Sequence, residues 1–148
     1  MLVALGNFDM TIERTFKNLI ILNSLIVISL VFGSIFFETP EVNKIVENIS
    51  DGLLFKIGYE KIIGILLLIY LLIYLVSLLF LYRFIYFGKP LFTIYFICNI
   101  LISLSSGTLV ESALFATLGW LDGATEGAIL VFLYFTPIKE KFVKHTFY

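Results

Sequence analysis

Three carboxylates in the last third of the chain are the residues whose type and spacing could support chemistry. Glu111, Asp122 and Glu126 are separated by 11 and 4 residues. At about 100° per residue they fall within roughly 60° of one another on a single helix. Carboxylates within a membrane helix are costly, by about 2.5–3.5 kcal/mol for Asp at its centre, and usually face a bundle interior or water. This face could bind cations or protons, pair with a basic group of another membrane protein, or be satisfied locally by interfacial water and neighbours such as Thr125.

Other reactive residues are too few for the familiar catalytic sites. The chain has one histidine, His145, in the C-terminal tail, and one cysteine, Cys98. A Cys/His metal site needs several converging ligands, although a carboxylate-based site stays open. We find no serine with histidine and acid in reach, no glycine-rich phosphate loop and no paired zinc motif. The sequence therefore predicts a protein that is not an enzyme, with no catalytic residue, no metal site and no cofactor.

Composition places the chain in the lipid bilayer. Hydrophobic residues make up 60% of it and charged residues only 14%, with a mean hydropathy of +1.05. Soluble domains carry roughly 45–50% apolar and about 25% charged residues, so a soluble fold could not cover this much apolar surface. The net charge of −1 gives no basic field for nucleic acid. We expect a multi-pass protein of the cell membrane with no nucleic-acid partner.

Charged residues divide the chain into hydrophobic segments. Three stretches of 20, 21 and 21 residues lack charge, and about 20 residues suffice for a helix to cross the hydrocarbon core. The last apolar run, Gly127–Ile138, has only 12 residues, so we extend it back to residue 113, which places Asp122 and Glu126 inside it. The sequence thus predicts an all-α membrane protein, a bundle of four transmembrane helices in one domain over 1–148. The predicted spans are 18–37, 62–82, 90–110 and 113–137.

Basic residues predict the topology. The N-terminal segment, the loop between spans two and three, and the tail would share one side of the membrane and hold seven Lys or Arg residues, against three in the loop 38–61. The positive-inside rule then places both termini in the cytoplasm. In the outer loop 38–61, apolar residues at helical spacing predict a short amphipathic helix over about 40–50. Its apolar face would rest on the bundle or the outer leaflet, or would dock a partner.

Span four also carries a glycine stripe, Gly119, Gly123 and Gly127. Small residues four apart allow another helix backbone to approach closely. The stripe lies beside the carboxylate face, not on it. Two interpretations stay open: packing against another span of the same chain, or self-association or docking to another membrane protein.

Asn99 lies in the middle of span three, where its amide needs a partner. Hydrogen bonding between helices is the usual solution in a membrane, and we interpret Asn99 as a helix-packing residue. The candidate partners are polar residues of spans one and two: Asn23, Ser24, Tyr70 and Tyr74.

The end of the chain resembles a known kind of protein. The segments Leu121-Asp122-Gly123, Gly127 to Leu130, Tyr134 to Pro137 and Lys139 to Phe142 are similar to the C-terminal end of small, uncharacterised bacterial four-span membrane proteins. This resemblance covers the last quarter of the chain and implies no activity. By size and span count alone, the chain is also similar to bacteriocin immunity proteins.

The function that these patterns favour is helix–helix association without catalysis. The chain would act as a homo-oligomer or as a small subunit of a membrane complex. One alternative is a cation or proton channel or transporter that uses the acidic residues of span four. Another is a membrane-embedded component of immunity or phage defence.

Overall fold

Helices make up nearly all of the described structure. The computed structural model describes residues 2–37, 60–105 and 112–142, and no strand occurs among them. They form four α-helices and a short 3-10 helix: α1 (Leu2–Phe37), α2 (Glu60–Tyr82), α3 (Gly88–Ser105), α4 (Ala113–Phe135) and the 3-10 helix Pro137–Lys141. The predicted all-α, four-helix architecture is confirmed. The amphipathic helix predicted for 40–50 lies outside the described residues.

Among the described residues, three helices are long and apolar enough to cross a membrane. The qualifying segments are Met10–Gly33, Ile65–Tyr82 and Ala113–Phe135, and Gly88–Leu104 of α3 is a shorter apolar helix. The chain is therefore a membrane protein. The predicted third span, 90–110, is described only as far as residue 105. Helix α1 starts well before residue 18, the predicted start of span one, because charged side chains end an apolar stretch without interrupting helical hydrogen bonding.

The helices pack unevenly around the bundle. Helix α1 makes its most extensive contacts with α4, and α2 with α3, whereas α3 and α4 touch little. The buried core concentrates toward the end of the bundle that holds the α2–α3 turn, which we call the turn end. Its members are Phe16, Ile20, Val27, Tyr74, Leu78, Leu81, Phe92, Ile129, Leu133, Ile138 and Phe142.

The other half of α2 faces outward. Each residue from Ile65 to Ile69 exposes between 47% and 60% of its surface. Lipid tails are as apolar as leucine, so this exposure is not penalised in a bilayer as it would be in water. Packing and polar contacts, more than hydrophobic burial, must hold the helices in register.

A tight turn joins α2 to α3. The Ile85 amide donates to the Phe80 carbonyl at 2.8 Å, and the Gly88 amide donates to the Ile85 carbonyl at 2.9 Å. A Cβ at Gly88 would lie 2.8 Å from the backbone nitrogen of Leu81, so the close approach requires glycine. Phe84 has a φ of 55°, an uncommon conformation for a residue with a side chain. This conformation accompanies the placement of its ring in the turn-end core.

Candidate functional site

Asn23 of α1 ties three helices together. Its amide nitrogen donates to Asp122 Oδ1 at 2.8 Å and to Thr125 Oγ1 at 2.9 Å, both on α4. Its Oδ1 accepts a hydrogen bond from the Tyr74 hydroxyl of α2. Asn23 is fully buried, and these contacts use both amide hydrogens and the carbonyl oxygen. The side chain is therefore satisfied only while α1, α2 and α4 keep their present arrangement.

We call the group around Asn23 the polar centre. Its members come from all four helices: Asn23, Tyr74, Asn99, Asp122, Thr125 and Glu126. Within α4, the spacing of Asp122, Thr125 and Glu126 places them on one face, which continues into the apolar core at Ile129 and Leu133. Polar residues thus occupy positions that would otherwise hold core leucines.

Glu126 is the most deeply buried charged residue of the centre. Only 2% of its surface is exposed. The side chains of Tyr74 and Asn99 approach its carboxylate, yet its Oε1 has no hydrogen-bond partner among the described residues. Leaving such an atom unpaired in an apolar interior is unfavourable, so this oxygen is the feature of the centre that most needs explanation.

Among the described residues, no Lys, Arg or His forms an ion pair with Glu126. The sequence contains no Lys, Arg or His in 18–37, 62–82, 90–110 or 113–138. Both ion pairs found among the described residues involve Glu13 at the turn end, which contacts Lys17 at 2.8 Å and Lys141. Within the described ranges, no group of three or more His, Cys, Asp or Glu residues could hold a metal ion. The centre is thus rich in oxygen and lacks a positive charge of its own.

The structure brings together three of the residues singled out from the sequence. Asp122, Glu126 and Asn99 all belong to the polar centre, with Glu126 buried and Asp122 partly exposed. Glu111 lies outside the described residues. Asn23 and Tyr74, which we considered as partners for Asn99, instead bond to each other and to α4.

The glycine stripe lies apart from the polar centre. Apart from its chain neighbours and the adjacent backbone of α4, a Cβ added at Gly119, Gly123 or Gly127 would meet no atom within 4 Å among the described residues. Gly33 of α1 packs elsewhere, since a Cβ added there would lie 2.8 Å from the ring of Phe115. The described part of the chain therefore leaves the stripe uncovered.

Sequence reasoning missed Tyr95 of α3. Its ring stacks on Tyr74 with centroids 4.1 Å apart and on Tyr70 at 4.5 Å. Its carbonyl accepts a hydrogen bond from the Tyr70 hydroxyl at 3.0 Å. The signal was available, because Tyr95 precedes Asn99 by four residues and therefore shares its helical face. This stack joins α2 to α3 directly beside the polar centre.

Comparison with known proteins adds no further guide to function. The chain matches no family model, no curated protein and no solved structure. The similarity to small bacterial four-span proteins stays a prediction, and function has to be argued from the geometry.

Proposed function

We propose that this chain is a non-enzymatic integral membrane protein that acts by helix–helix association. Its contact surface is the face of α4 formed by Gly119, Gly123 and Gly127, which we call the glycine face. The observation that carries the proposal is the open space at all three positions. In lipid, helices associate by van der Waals packing, and small residues four apart let two backbones come close.

The polar centre supports this role by fixing how α4 is rotated. Asp122 and Thr125 hydrogen-bond to Asn23, which turns their face of α4 toward α1. Gly119 and Gly123 lie to one side of that face and are exposed. Because rotation of α4 would break these buried hydrogen bonds, the glycine face is held outward and presented as a preformed surface.

The occupant that we propose for the glycine face is a second copy of this chain. A stripe with an even four-residue repeat is self-complementary, since the same stripe on a second α4 offers the same close approach. A subunit of a different membrane protein is the alternative occupant. If that alternative is right, a different membrane protein will co-purify with this chain at a fixed ratio, and this chain will not associate with a second copy of itself.

The arrangement of basic residues supports a cytoplasmic location for the turn end. The basic residues at that end of the bundle are Arg14, Lys17, Arg83, Lys89, Lys139 and Lys141. In proteins of this kind the side richer in Lys and Arg is cytoplasmic. We propose accordingly that both termini lie in the cytoplasm and that the other end of the bundle faces outward.

Gly123→Leu tests the proposed association. The position is open within the protomer, so leucine should fit without disturbing the fold while blocking close approach of a second helix. We expect association to weaken at least tenfold, equivalent to about 1.4 kcal/mol. The measurement is the oligomeric mass in nanodiscs, or energy transfer between labelled chains in liposomes, at a series of protein-to-lipid ratios.

Ser103→Leu is the matched control, because it adds leucine at an exposed position of α3. It should associate like the wild type. Membrane insertion and helix content should be the same in all three proteins. If Gly123→Leu assembles as the wild type does, the glycine face is not the contact surface.

A further inference from the structure

We infer that the polar centre is a binding site for one exchangeable monovalent cation, either a proton or a sodium ion, held at Glu126. The inference goes beyond helix–helix association and does not depend on it. A proton and a sodium ion share the relevant chemistry, since each brings a single positive charge to a carboxylate oxygen. Their sources can be separated by varying pH and sodium independently.

The first argument is the unpaired oxygen. Glu126 is 2% exposed, and its Oε1 lacks a hydrogen-bond partner among the described residues. A carboxylate in an apolar interior is strongly unfavourable unless it is paired or neutralised. No basic residue in the predicted spans can pair with it. A cation taken up from outside the chain would supply the missing partner.

The second argument comes from the count of hydrogen-bond donors. Both amide hydrogens of Asn23 go to Asp122 and Thr125. The Tyr74 hydroxyl donates to Asn23, and the Thr125 hydroxyl donates to the Asp122 carbonyl at 2.9 Å. Each of these donors is therefore engaged elsewhere, and the Tyr74 oxygen is left as an acceptor beside Glu126. The Asn99 side chain of α3 approaches the Glu126 carboxylate, yet Oε1 stays unpaired among the described residues. A protonated carboxyl or a small oxygen-seeking cation would satisfy that atom.

The groups that surround Glu126 favour a bound cation with a single positive charge. Asp122 interacts with Glu126 from the same helix, Tyr70 and Tyr74 from α2, and Tyr95 from α3. Helix α1 contributes the uncharged Asn23 to the centre. Asp122 already accepts a hydrogen bond from Asn23, whereas the buried Oε1 of Glu126 accepts none from the described residues. One monovalent cation meets that need, whereas a divalent ion usually takes several carboxylates and waters.

Infrared spectroscopy of the full chain in liposomes tests the inference. The readout is the carbonyl stretching band of a protonated carboxylic acid, followed across pH with either sodium or choline as the bulk cation. If a proton occupies the site, the band is present in both salts and disappears as pH rises. If sodium occupies it, adding sodium at fixed pH removes the band, and choline does not. The part of the response that belongs to Glu126 is the difference between the wild type and Glu126→Gln, since the other carboxylates titrate in both proteins.

Glu140→Gln is the control, because Glu140 lies exposed in the 3-10 helix. It should retain the response of the wild type. Glu126→Asp keeps a carboxyl group but withdraws it by one methylene, and should bind sodium or the proton with an affinity changed at least tenfold. If Glu126→Gln fails to insert into the membrane, the affinities of Glu126→Asp and the wild type are compared instead, and equal affinities would contradict binding at Glu126.

A difference spectrum between the wild type and Glu126→Gln that responds to neither pH nor sodium would overturn the inference. So would identical responses of the two proteins under all conditions. Oligomeric mass, measured on the same samples, keeps the two proposals distinguishable. The hydrogen bonds that fix the rotation of α4 join Asn23 to Asp122 and Thr125 and do not involve Glu126, so we expect Glu126→Gln to associate like the wild type.

Discussion

Asn23→Leu is expected to destabilise the bundle more than any other single polar substitution. The change removes the side chain that bonds Asp122, Thr125 and Tyr74 and leaves all three of those groups short of a partner. Hydrogen bonds between membrane helices contribute about 0.6–1.7 kcal/mol each, so the loss should be about 2–5 kcal/mol. Equilibrium unfolding in mixed micelles of a mild detergent and dodecyl sulfate measures it.

Ser24→Ala is the control for Asn23→Leu. Ser24 neighbours Asn23, but its hydroxyl donates only to the Ile20 carbonyl of its own helix, at 2.8 Å. Its removal should change the free energy of unfolding by less than about 0.5 kcal/mol. If the two variants were equally stable, the hydrogen bonds at Asn23 would not hold α1, α2 and α4 together.

Phe16→Ala should lower the free energy of unfolding more than any other substitution of an apolar residue. Phe16 is fully buried and packs on Phe84 and Phe132 with ring centroids 5.9 Å away, and on Phe142 at 6.3 Å. These rings come from the α2–α3 turn, from α4 and from the residue after the 3-10 helix. Truncating a buried phenylalanine costs about 3–5 kcal/mol through lost contacts and the cavity left behind.

Phe135→Ala provides the matched comparison, since Phe135 is 83% exposed. The same chemical change there should alter the free energy of unfolding by less than about 0.5 kcal/mol. Both variants can be unfolded in the same mixed micelles as Asn23→Leu. Equal losses at the two positions would mean that the turn-end core does not hold the bundle as described.

Much of the fold follows from charge placement. Uncharged stretches of 20 and 21 residues indicate the first two crossings, and α2, from Glu60 to Tyr82, fits the predicted span 62–82. Extending span four back across two carboxylates was needed to reach sufficient length, and α4 does begin at Ala113. The common face of Asp122 and Glu126 also follows from helical geometry alone.

Which helices touch could not be predicted in the same way. In a soluble helix the buried face can be identified because the opposite, solvent-exposed face is polar. In a membrane helix the face toward lipid is apolar as well, so this contrast is lost. The pairing of α1 with α4 therefore could not be predicted from hydrophobic patterning. Asn23 was a candidate partner for Asn99, and the structure instead joins it to Asp122 and Thr125, because these residues lie level with it on an antiparallel neighbour.

Helix α4 emerges as an element with two distinct sides. One side carries Asp122, Thr125 and Glu126 into the bundle, where Asn23 fixes its rotation. The other carries the uncovered glycine face. A loss of the polar centre should therefore weaken association indirectly, by freeing α4 to rotate, whereas a change at Gly123 should act on association alone.

Disulfide cross-linking in native membranes tests the glycine face most directly. With the single cysteine removed as Cys98→Ala, Gly123→Cys places a thiol at the proposed contact, and Leu72→Cys places one at an exposed site of α2. A disulfide needs Cα atoms about 4.4–6.8 Å apart, so copper phenanthroline and oxygen should link two copies through Gly123→Cys and not through Leu72→Cys. Absence of a link at Gly123→Cys, or equal linking at both positions, would contradict association through the glycine face.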